Sequence, residues 1–331
     1  MTRAAVMGSG SWGTAFAMVL ADAGTEVVLW AKDPELAEQI NRTHQNAAYH
    51  PGIELPHTLW ATADPAQAMA DSDFVVLAIP SQVLRTNLGG WIRDIPAAAV
   101  LVSLMKGIEL GTAKRMSEVV REVAGVESER VAIVSGPNLA REIMRRQPAA
   151  TVVACTDETN AKRLQLAALT PYFRPYTNTD VIGTEIGGSV KNVMALANGV
   201  AVGLGFGENA QASLITRGLA EMTRFGVALG ADPSTFSGLA GVGDLVATCT
   251  SPLSRNRTFG VNLGHGMTTA EATDAMKQTC EGVKSCRPIL ELATDHGVEM
   301  PITEAVVAAV HEGLAPREMA RMLMTRDAKP E

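Results

Sequence analysis

Six residues constrain this chain more than any others: Gly8-Ser9-Gly10-Ser11-Trp12-Gly13. Their spacing is GxGxxG, and the setting gives the motif its force. An apolar run at 4–7 leads into it, an Ala-rich helical pattern at 14–23 leads out, and a second apolar run begins at Glu26. In a strand–turn–helix unit of this kind the glycines permit a tight turn and close approach of backbone to a pyrophosphate. The N-terminus of the following helix then stabilises the phosphate charge. Gly8, Gly10 and Gly13, with Ser11 and Trp12 between them, are therefore candidate contacts to a nicotinamide dinucleotide. Without a ligand the same residues would make only a tight turn.

The rest of the first half repeats this alternation. Further strands are expected at 26–30, 74–79, 100–104, 131–134, 150–154 and 173–176, rich in Val, Leu and Ile and nearly continuous. Such runs suit a parallel sheet covered by helices on both faces. After Tyr176 the pattern changes. Thr177-Asn178-Thr179-Asp180 reads as a linker, and Ala-rich helical periods follow at 185–201, 208–229, 280–295 and 302–311. Thr268 with Glu271 has the form of a capping box, and Pro316 suits the first turn of a short terminal helix. The expected fold class is α/β: a doubly wound sheet over 1–180, then an all-helical domain over 181–331.

The second strand bears on cofactor choice. An acidic residue at its end usually accepts from the ribose 2′-hydroxyl of NAD, whereas a cation suits a 2′-phosphate. Here Lys32 is followed by Asp33, and the two pull in opposite directions. The expectation is a preference for NADPH with NADH tolerated.

Composition narrows the partners. The 331 residues carry 28 Lys and Arg against 35 Asp and Glu, a net charge of −7, which argues against nucleic acid and anionic membranes. An anionic substrate would need a local cluster of cations. The four cysteines form no CxxC pair or zinc spacing, and the six histidines have no partners at ligand spacing, so neither a metal nor a histidine base is expected. The apolar run beginning near Arg3 leaves no room for a signal peptide, and no stretch is long enough to span a bilayer. A cytosolic enzyme acting on a small molecule is expected, with no membrane insertion and a homodimer as the one assembly allowed for.

Candidate site residues lie beyond the strand ends, where ligands bind in open α/β sheets. Lys106, next to Gly107, follows one strand, and Ser135-Gly136-Pro137-Asn138 follows another. Position alone leaves open whether Lys106 faces the crevice or solvent. In the helical half, Gly187, Lys191 and Ala195 share a helix face with Asn198 just beyond. Lys191 thus lies on a stripe of small residues that another backbone or a ligand can approach, while Ile186, Val190, Val193 and Ala197 turn to the core. Gly241-Val242-Gly243-Asp244 and Ser254-Arg255-Asn256-Arg257 read as loop or helix-start segments. Arg255 there could grip a phosphate through paired N–H donors.

Taken together, GSGSWGTA, LMKGIE, SGPN, GGSVKNVMAL, ITRGLAEM, GVGDLVATCTS, SRNR and MPITE resemble the bacterial NAD(P)-dependent glycerol-3-phosphate dehydrogenases. The resemblance runs from about Ala4 to beyond Ile302. It implies a Rossmann domain followed by an all-helical domain, with the active site in the cleft between them. It further implies that Lys191 is the catalytic lysine and that Lys106, Gly136, Asn138, Asp244, Ser254, Arg255 and Asn256 contact substrate. Ser11, Trp12, Lys32, Lys106, Ala140, Arg255, Thr279 and Glu281 would contact NADPH or NADH. The sequence departs from the family at three positions. Asn138 stands where Ser or Thr is common, Lys32 where Arg or His is usual, and Thr279 where an aliphatic residue is usual.

The implied reaction is reversible reduction of dihydroxyacetone phosphate to sn-glycerol 3-phosphate, the backbone precursor of phospholipids. Lys191 would protonate the developing alkoxide, and the balance of electrons and protons closes without a metal. Two other readings remain at this point: a related two-domain hydroxyacid or phosphosugar dehydrogenase, and a non-catalytic NAD(P)H sensor.

Overall fold

The computed structural model describes residues 2–276 and 280–325. The chain divides into two compact units, one of Met1–Lys106 with Lys114–Glu185, the other of Gly107–Ala113 with Ile186–Glu331.

The first unit is an eight-stranded sheet of β1 (Arg3–Met7), β2 (Glu26–Trp30), β3 (Leu59–Thr62), β4 (Phe74–Leu77), β5 (Val100–Ser103), β6 (Val131–Ser135), β7 (Ala149–Cys155) and β8 (Phe173–Asn178). The order is β3-β2-β1-β4-β5-β6-β7-β8. Strands β1 to β6 run parallel, with the order reversing beside β1. This is the Rossmann arrangement, in which a ligand binds where the order reverses. Ala4 to Met7 are fully buried, and so are Phe16 and Leu20 of the helix that crosses over β1. The continuous apolar reading of these strands follows from that two-sided burial.

Three expectations change. β3 is missing from the sequence reading because Leu-Trp-Ala-Thr is a four-residue edge strand with no continuous apolar run. β8 continues through Thr177 and Asn178, which read as linker residues. And β7 runs antiparallel to β6, so the sheet is not wholly parallel. The connection explains the reversal. Its helix, Ala140–Met144, has five residues, about 8 Å at helical rise, whereas β6 is about twice as long. The chain cannot cross back over the sheet and re-enters from the end where β6 finished. That return pairs Ser135 with Val152 and lays the Ser135–Asn138 turn against Thr151.

The helix Val181–Gly203 belongs to the second unit from Ile186 onward, and its Ile186, Val190, Val193 and Ala197 are all buried, as their spacing implies. Glu185 ties the start of this helix down. Its carboxylate accepts from Arg115 Nη1 at 2.8 Å, from Ser117 N–H at 2.8 Å and from Ser117 Oγ at 2.5 Å. Burial nevertheless pushes the Glu185 carboxyl above the usual carboxylate range, opposed by Arg115 and Ser117. The long helix touches Glu208–Ala228, Asp244–Thr250, Arg255–Gly264 and Glu281–Asp295, and Pro301–His311 packs on Glu208–Ala228 and Glu281–Asp295. Thr268 and Glu271 form the expected capping box, and Pro316 opens the helix Pro316–Met324. All four cysteines are free and buried. Burial pushes the Cys249 thiol up to about 12 and that of Cys280 to about 11, which leaves both protonated.

Candidate active site

The glycine turn follows β1 directly. Gly8 has φ +136°, and a Cβ there would lie 2.4 Å from the Ala78 carbonyl oxygen. A Cβ on Gly13 would lie 2.0 Å from the Gly8 carbonyl oxygen. These two positions are glycine because the protein itself fills the space. Gly10 differs, since nothing lies within 4 Å of its would-be Cβ. The open side of the turn is therefore at the middle glycine.

The helix after the turn, Ser11–Asp22, begins three residues earlier than its Ala-rich pattern suggests. Ser11, Trp12 and Gly13 thereby enter its first turn, where backbone N–H groups have no intrahelical acceptor. Gly10 is the N-cap and offers no side chain to satisfy them. Trp12 Nε1 is buried with no hydrogen-bond partner. An uncapped helix start, an open glycine and an orphaned indole N–H fit a dinucleotide pyrophosphate at this turn.

Lys32 and Asp33 follow β2, both exposed. Asp33 is the N-cap of the helix Pro34–Thr43, its Oδ1 accepting from Glu35 N–H at 3.0 Å. One of its two carboxylate oxygens is thus engaged at the helix start, beside the exposed Lys32. Lys106, half-buried after β5, donates from Nζ to the Gly136 carbonyl at 3.1 Å. Its amine therefore lies against the Ser135–Asn138 turn. Asn138 Nδ2 donates to Thr151 Oγ1 at 2.9 Å, while its Oδ1 is buried without a partner. Ala140 begins the short helix that packs on Ser11–Asp22.

In the second unit Lys191 is 6% exposed. It does not snorkel to solvent. Its Nζ donates to Asp244 Oδ1 at 2.5 Å and to Thr248 Oγ1 at 2.6 Å. Asp244 is the first residue of the helix Asp244–Thr250, and Thr248 lies one turn on along the same face. The small-residue stripe explains how the pair meets. A Cβ on Gly187 would lie 2.3 Å from the Ala240 carbonyl oxygen, so the long helix and the segment leading into Asp244 touch backbone to backbone. Four residues on from each contact point come Lys191 and Asp244. The glycine admits a neighbouring backbone, and the lysine is delivered to the carboxylate.

The SRNR segment is a helix start rather than a loop. Ser254 is the N-cap of Arg255–Gly264, its Oγ accepting from Arg257 N–H at 3.3 Å. Arg255 is exposed in the first turn, where a cation opposes the helix dipole. The cost of that placement turns into a gain when an anion binds beside both. Asn256 is buried, donating to Asn192 Oδ1 at 2.9 Å and accepting from Gly282 N–H at 3.0 Å. Glu281 is the first residue of the helix Glu281–Asp295. Thr279 lies outside the described residues.

The sequence reading missed Asn46, His50, Asn192 and Thr248. Thr248 had a signal, because a Thr four residues after Asp244 must share its face if the segment is helical. Asn192, one residue from Lys191, carried none by spacing alone.

The profile described as NAD-dependent glycerol-3-phosphate dehydrogenase N-terminus matches residues 3–161, and that of the C-terminus matches residues 180–321. The chain belongs to the NAD-dependent glycerol-3-phosphate dehydrogenases. It is 64% identical to the glycerol-3-phosphate dehydrogenase [NAD(P)+] of Streptomyces coelicolor, over 99% of this chain and 98% of that one. The enzyme of the same name from Thermobifida fusca is 64% identical over 100% of this chain and 99% of its own. The crystal structure of glycerol-3-phosphate dehydrogenase from Coxiella burnetii superposes with a TM-score of 0.93 at 37% identity, covering 98% of this chain and 99% of that one. The glycine turn and Lys191 are thus held in a dehydrogenase with the Rossmann and helical parts expected. Among the described residues no helix is long and apolar enough to cross a membrane.

Proposed function

We propose that this dehydrogenase reduces dihydroxyacetone phosphate to sn-glycerol 3-phosphate, with Lys191 as the proton donor. The observation that carries this reading is the buried Lys191–Asp244 pair with Thr248 on the same amine. Two acceptors on one buried amine fix where the ammonium sits and how it is turned. Lys191 stabilises the negative charge that develops on the ketone oxygen and delivers the proton to it. Asp244 balances the buried charge and orients the amine. Thr248 holds the amine from a second side.

When bound, the reduced nicotinamide supplies the hydride that reduces the ketone carbon. Gly8, Gly10, Ser11, Trp12 and Gly13 hold its pyrophosphate; Ala140, Glu281 and Thr279 are assigned to the remaining cofactor contacts. The engagement of Asp33 as a helix cap favours Lys32 as the reader of the 2′ position, hence NADPH over NADH. Arg255, with the start of its helix and Ser254, binds the substrate phosphate. Lys106, held on Gly136, and Asn138, whose buried Oδ1 lacks a partner, orient the substrate. Asn256 acts through its neighbours, linking Asn192 to the start of the Glu281–Asp295 helix.

Residues 1–180 are assigned chiefly to cofactor binding, with Lys106 and Asn138 as their substrate contacts, and 181–331 chiefly to substrate and catalysis, with Thr279 and Glu281 as their cofactor contacts. The enzyme is placed in the cytoplasm, as a homodimer, feeding glycerol phosphate to phospholipid synthesis. A steady-state assay with dihydroxyacetone phosphate and each reduced cofactor tests the reading. NADPH-driven turnover is expected with the phosphorylated ketone, and its absence overturns the assignment.

A further inference from the structure

The glycine turn is held from outside. Between the helix Pro34–Thr43 and β3 the chain makes a loop, residues 44–55, closed at its neck where Leu55 N–H donates to the His44 carbonyl at 2.7 Å. Two side chains of this loop are buried against the turn: Asn46, with no exposure, and His50, with 2%. Asn46 Nδ2 donates to the Ser9 carbonyl and to Thr14 Oγ1, at 2.9 Å each. Thr14 Oγ1 donates to the same Ser9 carbonyl at 3.1 Å. His50 Nε2 lies 2.8 Å from the Ser11 carbonyl and 3.3 Å from Ser11 Oγ. A carbonyl only accepts, so Nε2 carries the hydrogen. The other ring nitrogen, Nδ1, is buried without a partner. That places the neutral Nε2–H tautomer here, in keeping with burial, which lowers the imidazole pKa.

What these bonds fix is the direction of two carbonyls. A trans peptide is planar, and its C=O and N–H point opposite ways. Pinning the Ser9 carbonyl to the loop therefore aims the Gly10 N–H away from it. The Ser11 carbonyl points along its helix, and His50 adds a second hold on it and so on the plane that carries the Trp12 N–H. Both donors belong to the segment around Gly10, where a Cβ would meet nothing within 4 Å. The clamping loop also follows directly from the helix that Asp33 caps beside Lys32. One continuous stretch, residues 32–55, thus links the strand end that reads the 2′ position to the turn.

We propose that Asn46 and His50 are positioning residues for the cofactor, clamping the peptide planes of Ser9–Gly10 and Ser11–Trp12 so that their N–H groups face the pyrophosphate. The proposal rests on reading Gly8–Gly13 as the pyrophosphate site. Its action is confined to the phosphates. Recognition of the 2′ position by Lys32 and proton delivery by Lys191 do not pass through it.

The test uses the full-length enzyme with His50→Leu, which removes the donor but keeps apolar bulk, and His50→Gln, whose side-chain amide can still reach the Ser11 carbonyl. Affinities are measured for NADPH by fluorescence and for adenosine 2′-phosphate, which lacks a pyrophosphate, by calorimetry; kcat is read at saturating NADPH. Loss of one such hydrogen bond corresponds to about a tenfold weaker NADPH affinity. His50→Leu is expected to show that loss with adenosine 2′-phosphate affinity and kcat close to wild type, and His50→Gln to recover most of it. Unchanged NADPH affinity in His50→Leu, equal loss for both ligands, or no recovery in His50→Gln overturns the clamp. Gly10→Ala, run alongside, separates the two levels of the argument. If it leaves NADPH affinity intact, the turn is not the pyrophosphate site and the clamp falls with it. If it weakens NADPH while His50→Leu does not, the clamp alone falls.

Discussion

In the function proposed above, the glycine turn and the lysine centre both meet negative charge, and they are made of different material. At the turn the useful groups are backbone N–H donors, so what matters is the absence of side chains at three places. At the lysine centre the useful group is one ammonium, held at 2.5 Å and 2.6 Å by Asp244 and Thr248. Short of proline, a substitution leaves a backbone donor in place and can only misdirect or block it. A side-chain charge can be deleted outright. The comparison teaches that the turn should fail by degrees, through affinity, whereas the lysine centre should fail in rate with affinity for cofactor kept.

The largest effect should come from Lys191→Met, which keeps length and apolar bulk but removes charge and proton. Removing a positioned acid lowers rate by about 10²–10⁴, and loss of charge stabilisation on the oxygen adds to it. NADPH affinity, measured by fluorescence on the same preparation, should stay at the wild-type value. Turnover within about tenfold of wild type with intact cofactor binding would remove Lys191 as the donor.

Arg255→Lys comes next. A point charge cannot reproduce the paired N–H grip on phosphate oxygens, so kcat/KM for dihydroxyacetone phosphate should drop by about tenfold to a hundredfold. Unphosphorylated dihydroxyacetone is the control. If both substrates lose the same factor, the phosphate is recognised elsewhere.

Two alanines sharpen the contrast within the turn itself. Gly13→Ala drives a Cβ to 2.0 Å from a backbone oxygen and should lower the thermal midpoint of the enzyme without cofactor, by several degrees for a loss of about 1–3 kcal/mol. Gly10→Ala meets nothing within 4 Å, so its midpoint should not move, while NADPH binding weakens because the added methyl occupies the phosphate's space. Equal behaviour of the two variants in both measurements would contradict the division of roles.

The smallest effect is expected from Lys32→Glu, at an exposed site where solvent screens the charge. NADPH affinity should fall while NADH affinity holds, since only the 2′-phosphate meets the reversed charge. Equal losses for the two cofactors would show that Lys32 does not read that position.

By itself the sequence determined the parts that depend on spacing. A run such as Ala4–Met7 that is apolar on every residue can only be buried on both sides, and Gly8, Gly10 and Gly13 encode a backbone requirement at their own positions. The periodicity that placed Ile186, Val190, Val193 and Ala197 in the core also put Gly187 and Lys191 on one face. Tertiary structure decided what that face meets. Asp244 lies 53 residues from Lys191, and contacts such as the backbone approach at Gly187 bring their segments close enough to pair. The reversal of β7 was likewise invisible, because the strand's composition does not record its direction; the length of the preceding helix does. Asn46 and His50 left no trace at all. A buried amide and a buried imidazole take their meaning from the carbonyls they reach, and those belong to residues 37 and 39 positions earlier in the chain.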